Sequence, residues 1–486
     1  MKISQSDKDR QIYTMNELGL SPEVVAVAFA KTSRSPDSFK DIAKDLTDEK
    51  SAQFHEKWVV GYGHASVAEH AVLNIAIENV SILASKVIED NRLASYTEKS
   101  TRYQIFDKGR YYKPGNVLHS EHGKLYVETM DYLFETYEML IHKLIDFVKR
   151  RDPKPADQKE RYYDAACMAK ACDIARYLLP TATYTNLGMT LNARGLEYAI
   201  VKFLSHPLQE IQQIGQEIKA AGLKATPTLI KFANENAYMQ HVQNEMQQTS
   251  NDLFKTEAPE QSRSAVELVW HDELGVEKYV AALLYKGAQH SYYQIWQKVL
   301  AMSLREKEDI IAKSFENRGE FDQAPRECEV VNYVHDILMD YGAFRDVQRH
   351  RMATQVNQDV TVVHGFEMPT EIGDANLDAE FVEAMNRCEQ AYHVLVKDFP
   401  KDAQYVVPLA FRKRTLFSWN LRELHHFVPL RSTPKGHPSY RRIAQHVHNT
   451  VNKVHPLLAK YIRVNKSGEY LSTVGTSQQF ERNLKD

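Results

Sequence analysis

Four cysteines in 486 residues, Cys167, Cys172, Cys328 and Cys388, offer no CxxC pair and no even framework of the kind that staples a short secreted domain. We therefore expect reduced thiols and a cytoplasmic protein. Nowhere do about 18 apolar residues run unbroken, which leaves no candidate membrane span. The first 20 residues are charged and polar and lack the apolar core of a signal peptide. Charge of one sign is missing as well: the net charge is −3, so the chain as a whole is no obvious polyanion binder, and an anion site must come from local clustering. There is no low-complexity segment and no short-period repeat.

What remains is ordinary globular material, 43% hydrophobic, with room for two or three domains. Positive charge does cluster once. Between residues 403 and 442 eight Lys or Arg accompany a single acidic residue, Glu423. A solvated basic face would account for this, as would a local anion site. Tyr405, Phe411, Phe417 and Trp419 lie in the same segment, where they could stack the bases of a single strand, but their spacings suit a core equally. His425-His426, with His364 and His437, has no carboxylate or thiol at ligand spacing and predicts no metal. Gly61-Tyr62-Gly63 lacks the third glycine of a dinucleotide fingerprint.

Along the chain, residues 1–20 read as an arm. Val24 to Ala30 is an apolar run of strand length. Leu73, Ile75 and Ile77 alternate with polar or small residues, a half-buried strand. From Ser81 the period becomes helical and leads into residues 90–103, whose polar groups should occupy a helix end and the loop after it. Helices are expected over 122–150, over 158–179 ahead of Pro180, from Asn192 to Leu204, and after His206-Pro207. Residues 249–265 are polar and breaker-rich and read as a linker. Beyond it the order restarts. Val266–Trp270 stands where the Val24 run stood, Val330 to Tyr341 supplies an apolar helix, and Trp419–Leu430 mirrors Met189–Ile200. The chain thus reads as two repeats, 21–248 and 266–486.

Two short motifs carry the chemistry. Arg349-His350-Arg351-Met352-Ala353-Thr354 aligns with Asp90-Asn91-Arg92-Leu93-Ala94-Ser95, which continues to Thr97, Glu98, Ser100, Arg102 and Tyr103. Arginine forks match phosphate oxygens and stay charged at any working pH, so the basic triplet suits a phosphate-bearing ligand, although charged helix ends are common. Together the copies compose Arg-His-Arg-x-x-Ser-x-Asn-Glu-x-Ser-x-Arg-Tyr, and the chain resembles the flavin-dependent thymidylate synthases that carry this signature. The first copy keeps the back half. The second keeps the front half and has Val356, Asn357, Asp359, Thr361 and Val362 behind it.

Further elements extend the resemblance. Gly63-His64-Ala65-Ser66-Val67-Ala68-Glu69-His70 matches an upstream family element, and Pro325–Glu329 in the second repeat has no histidine there. Asn420-Leu421-Arg422 is followed by His426 and Arg431 at the family's spacing, whereas Asn192-Ala193-Arg194 is followed by Tyr198 and Phe203. Arg176 precedes Leu179-Pro180 as in the family, whereas Gln404 precedes Val407-Pro408.

The resemblance implies an α+β fold of two tandem family domains, helices around a small sheet, with two chains pairing as a pseudo-tetramer. It implies FAD, held noncovalently by Arg349, His350, Arg351, Asn420, Arg422, His426 and Ser66, one flavin per chain. It implies dUMP bound by Glu98, Ser100, Arg102, Arg176 and Arg431, with Arg431 and His64 catalytic. The implied reaction is reductive methylation of dUMP to dTMP, with NADPH and methylenetetrahydrofolate as co-substrates. Family sites lie between subunits, so complete sites are expected to join repeat one of one chain to repeat two of its partner. Asp346 stands where the family has glutamine, and Thr97 where it has asparagine. These departures leave open a flavoenzyme for another pyrimidine nucleotide, or a non-catalytic nucleotide- or flavin-binding homologue.

Overall fold

A computed structural model describes residues 12–61, 63–259 and 264–467. Most of the expected 1–20 arm lies outside them; Met15–Leu18 forms a single 3-10 turn.

The apolar run at Val24 is not a strand. It lies in the helix Pro22–Thr32, where the Ser21 side chain accepts from the Val24 N–H and Pro22 takes the first turn. An all-apolar run has no periodicity to read, and the cap and proline decide its form. Downstream come β1 (Val72–Ser81), the short helix Ile82–Ile88, β2 (Ala94–Glu98) and β3 (Tyr184–Asn192). Much of the first motif is therefore strand rather than loop. β2 runs antiparallel to β3, Ala94 facing Leu191 and Glu98 facing Leu187.

The second half holds β4 (Val266–His271), β5 (Asn332–Asp340), β6 (Thr354–Asn357) and β7 (Arg412–Asn420). The expected helix over 330–341 is instead β5. Tyr333, His335, Ile337 and Met339 are buried while Asn332, Val334, Asp336 and Leu338 are partly open, a period of two that large apolar residues at both parities had hidden. The helix that follows is only Tyr341–Val347, capped by the Asp340 carboxylate accepting from the Ala343 N–H.

The sheet orders are β1-β3-β2 and β4-β5-β7-β6. Without its edge strand β4, the second sheet repeats the first. Each third strand runs into a helix, Ala193–Leu204 or Leu421–Ser432, capped by Asn192 accepting from the Gly195 N–H or Asn420 accepting from the Glu423 N–H. The chain is a tandem of one α+β pattern.

Contacts gather the residues into two compact units that cut across the repeats. Unit 1 comprises residues 1–80, 87–99 and 185–256; unit 2 comprises 81–86, 100–184 and 257–486. In unit 1, Val24, Val27, Ala28 and Ile42 form a core beneath the N-terminal helices. Ala237–Leu253 buries no side chain, and it absorbs residues 249–253 of the expected linker; residues 260–263 lie outside the described residues.

In unit 2 the two repeats meet about a local two-fold. Pro180 and Pro408 form an antiparallel bridge. The Thr181 N–H donates to Val407 O at 2.9 Å, and the Leu409 N–H to Leu179 O at 3.0 Å. The long helices Gly123–Arg151 and Asp378–Asp398 pack together, with Lys143 bonded to Glu380 at 2.9 Å and Arg387 lying 3.8 Å over the Tyr132 ring.

Candidate functional site

The helix Tyr341–Val347 delivers the basic triplet, and two hydrogen bonds dock it on segments of the first repeat. Arg345 Nη1 donates to Thr101 Oγ1 at 3.1 Å, and Gln348 Nε2 donates to Lys86 O at 2.8 Å. Thr101 lies within the first motif, whose residues 100–103 belong to unit 2 together with the basic triplet.

Three guanidiniums from three distant segments gather there. Arg102 holds Asp173 in a two-pronged pair, Nε to Oδ1 at 2.9 Å and Nη2 to Oδ2 at 3.1 Å. Arg176 lies 3.3 Å from the same Oδ1, one helical turn from Asp173. It is only 2% exposed, yet its Nε and Nη2 find no aligned acceptor among the described residues. Arg431 donates through Nε to His350 Nε2 at 3.0 Å and approaches Asp346 Oδ1 at 3.5 Å.

Because Arg431 can only donate, His350 Nε2 must accept, and the ring proton sits on Nδ1, 3.0 Å from Glu423 Oε1. Burial pushes the His350 pKa down against the pull of Glu423, which agrees with a neutral ring. Glu423, the lone acid of the basic segment, therefore fixes a tautomer that positions Arg431.

Burial acts to raise the Asp346 carboxyl, but Arg176, Arg431, Arg349 and Arg102 outweigh it and hold the pKa below its ordinary value. For Arg176, burial opposes the charged form, and the carboxylate of Asp173 reverses that. Behind the cluster, Tyr177 Oη lies 3.3 Å from His437 Nδ1, and burial drives the His437 pKa to about 4. Asp173 and Tyr177 were not singled out from sequence; Glu423 was noted only as the lone acid of the basic segment, and His437 only among histidines that predict no metal. The Asp173–Arg176 spacing, one turn on a helix, was a legible signal.

The other expected residues are placed as follows. Ser100 accepts from the Arg102 N–H at 3.1 Å and shapes the turn that carries Arg102. Arg349 and His426 are exposed; the His426 ring lies 5.3 Å from that of His350. Arg351 is half-buried beside them in sequence. Asn420 is engaged as a helix cap. All three nitrogen groups of Arg422 are occupied, by Ala324 O at 3.2 Å, Glu329 at 2.7 Å and Gln323 at 2.8 Å. Glu98, His64 and Ser66 belong to unit 1. His64 and Ser66 line a cavity of about 550 Å³ there, with Phe29, Phe54, Trp58 and His70, and the Arg34 guanidinium sits 4.4 Å over the Trp58 ring.

A family model described as thymidylate synthase complementing protein matches residues 17–228 and 268–457. The chain belongs to this family. Among its relatives, a UPF0159 protein of Chlamydia muridarum is 33% identical over 491 residues, covering 94% of this chain and 92% of the relative. A flavin-dependent thymidylate synthase of Clostridium tetani is 28% identical over 219 residues, covering 44% of this chain and 82% of that protein. The crystal structure of the flavin-dependent thymidylate synthase ThyX from Helicobacter pylori, complexed with FAD and dUMP, aligns with 42% of this chain and 100% of its own at 18% identity, with a TM-score of 0.32. The double match of the family model agrees with the strand order repeated in the two sheets. No helix among the described residues is long and apolar enough to cross a membrane.

Proposed function

We propose that this chain is a flavin-dependent enzyme of thymidylate synthase type, which methylates dUMP reductively to dTMP with methylenetetrahydrofolate as carbon donor and NADPH as reductant. The observation that carries this reading is Arg176: a buried guanidinium with two unaligned nitrogens, beside Arg102. An unsatisfied buried donor costs about 1–3 kcal/mol, more when charged, and such a cost persists where a ligand removes it. A phosphate monoester supplies the missing acceptors in the geometry that arginine forks prefer.

Arg102 and Arg176 then hold the phosphate, and Arg431 faces the pyrimidine. Negative charge develops on the ring carbonyls as C5 attacks the one-carbon unit, and a guanidinium fixed beforehand by His350 and Glu423 stabilises it without reorganising. FAD, when bound, supplies the reducing equivalents. Arg349 and His426 fit such a group, being exposed beside the cluster, and Arg351 stands between the triplet's outer and inner sides. His64 and Ser66 keep their assigned catalytic and flavin roles by resemblance alone.

The test is release of tritium from [5-3H]dUMP by the full chain with FAD, methylenetetrahydrofolate and NADPH. Release that disappears in Arg176→Ala supports the proposal, and no release in the intact chain counts against it. A second reading, a nucleotide-binding protein without flavin chemistry, draws on Arg422 and Asn420, whose polar groups are already committed within the protein. A colourless protein that binds dUMP and releases no tritium would favour it.

A further inference from the structure

The cluster contains two carboxylates with different employment. Both oxygens of Asp173 are taken up by Arg102, and Oδ1 also faces Arg176. Asp346 has no such closed pair. Its approach to Arg431 Nη1, 3.5 Å, stands at the limit of a hydrogen bond, and its side chain retains 17% of its exposure. It sits on the docked helix Tyr341–Val347, three residues ahead of Arg349.

A carboxylate held charged among arginines does two things to an incoming anion. It withholds part of the attraction of Arg431, and it repels every negative charge the ligand brings. Both effects grow with ligand charge, because Coulomb energies scale with the product of charges. A nucleoside monophosphate brings about two negative charges and the corresponding diphosphate about three, since each phosphate ester carries nearly two at neutral pH and a bridging phosphate one.

We propose that Asp346 is the specificity-determining residue of this site, restricting it to phosphate monoesters by turning away the more highly charged diphosphate of the same nucleoside. This rests on the reading of the cluster as a nucleoside monophosphate site. A neutral amide at position 346 adds one net positive charge to the cluster. The variant then binds dUMP more tightly than the native chain does, and its affinity for dUDP rises further still, so the preference between them narrows. At an effective dielectric near 20 and a separation of about 12 Å between Asp346 and the extra charge, the narrowing is on the order of 10-fold.

The experiment is calorimetric titration of the full chain, Asp346→Asn and Asp346→Glu with dUMP and with dUDP, at one pH and one ionic strength, after thermal melts have verified folding. Expected are a native preference for dUMP, tighter binding of both ligands with a roughly 10-fold smaller preference in Asp346→Asn, and the native ratio retained in Asp346→Glu. An unchanged ratio in Asp346→Asn, with dUMP still bound, overturns the role of Asp346 and leaves the nucleotide site standing. Equal native affinity for dUMP and dUDP overturns it without any variant, which covers an Asp346→Asn chain that fails to fold. Binding of neither nucleotide by the native chain sinks both the site and the proposal.

Discussion

Where the helix Tyr341–Val347 ends, repeat two offers Arg349, His350 and Arg351; where the equivalent helix Ile82–Ile88 ends, repeat one offers Asp90, Asn91 and Arg92. The replacements have local employment. Asp90 is bonded to Lys202 at 2.6 Å, and Asn91 Nδ2 donates to Ile88 O at 2.9 Å. The position of Arg431 holds Phe203, fully buried. The contrast reverses at the step before proline, where repeat one has the under-satisfied Arg176. Repeat two has Gln404 there, whose Oε1 accepts from the Val360 N–H at 2.9 Å and whose Nε2 donates to Lys401 O at 3.1 Å. At the proline step the contrast is sharpest: among the described residues, Gln404 is satisfied within the protein, while Arg176 keeps buried nitrogens without an aligned acceptor; at the triplet it is weaker, because Asn91 Oδ1 is also buried without a partner.

The largest effect should come from breaking this contrast at the proline step. Arg176→Ala removes charge-assisted bonds worth about 1.5–3 kcal/mol each, so dUMP affinity measured by titration should fall by roughly 100-fold or more; Gln404→Ala should leave it unchanged while lowering the melting temperature. Equal losses in the two variants would mean that both repeats bind nucleotide.

Next comes the pairing of halves. Arg102 and Arg431 of one chain both act on Asp346, so mixing Arg102→Ala chains with Arg431→Ala chains should give no more tritium release than either variant alone. Activity approaching half of the native value would place complete sites between chains.

Glu423 offers a smaller lever. Glu423→Ala frees the His350 tautomer and loosens Arg431, with an expected fall in kcat of about 10-fold, the equivalent of one hydrogen bond to a charged group, and little change in KM. Because the His350 pKa is depressed in the folded chain, its acceptor nitrogen is present at neutral pH and lost as pH falls below the ordinary histidine range. The native rate should therefore drop on that acid limb, and in Glu423→Ala the limb should move to lower pH. An unmoved limb would separate Glu423 from the titration.

The smallest effect concerns stability. Buried His335 and His425, both driven by desolvation to a pKa of about 3, stand in repeat two where repeat one has Ala76 and Glu197. A histidine depressed from 6.5 to about 3 contributes stability that is present above 6.5 and lost as pH falls toward 3. At pH 5 each should cost about 2 kcal/mol. Hydrogen exchange at that pH should show the sheet of β5 and β7 losing protection before that of β1 and β3; simultaneous loss would mean that the two sheets unfold as one.

The sequence was informative wherever residue type alone carries the signal. Complementary half-motifs, the Asn-x-Arg element and the arginine before Leu-Pro stood out by residue type and spacing, and β1 and the helices ahead of Pro180 and after Asn192 fell where periodicity placed them. It misled where apolar residues filled every position, at Val24–Ala30 and Val330–Tyr341, because a segment hydrophobic on all sides looks the same as helix or strand. It was silent on Asp173 and on the Glu423–His350–Arg431 relay. Those depend on side chains from different segments meeting in space. The folding of residues 100–184 into the unit that holds repeat two is likewise a long-range outcome with no local mark.

The bridge at Pro180 and Pro408 makes the peptide connection between repeats a matter of kinetics more than of architecture. Once the backbone exchange of residues 179–182 with 405–409 and the packing of the two long helices are in place, the halves hold each other without help from the segment that joins them in sequence. The covalent link then chiefly raises the local concentration of one half around the other during assembly, to the millimolar range typical of short tethers. A chain cut in that segment should keep its partner by docking alone. Two halves made as separate polypeptides should reach the same assembly, but at a rate that depends on how much of each is present.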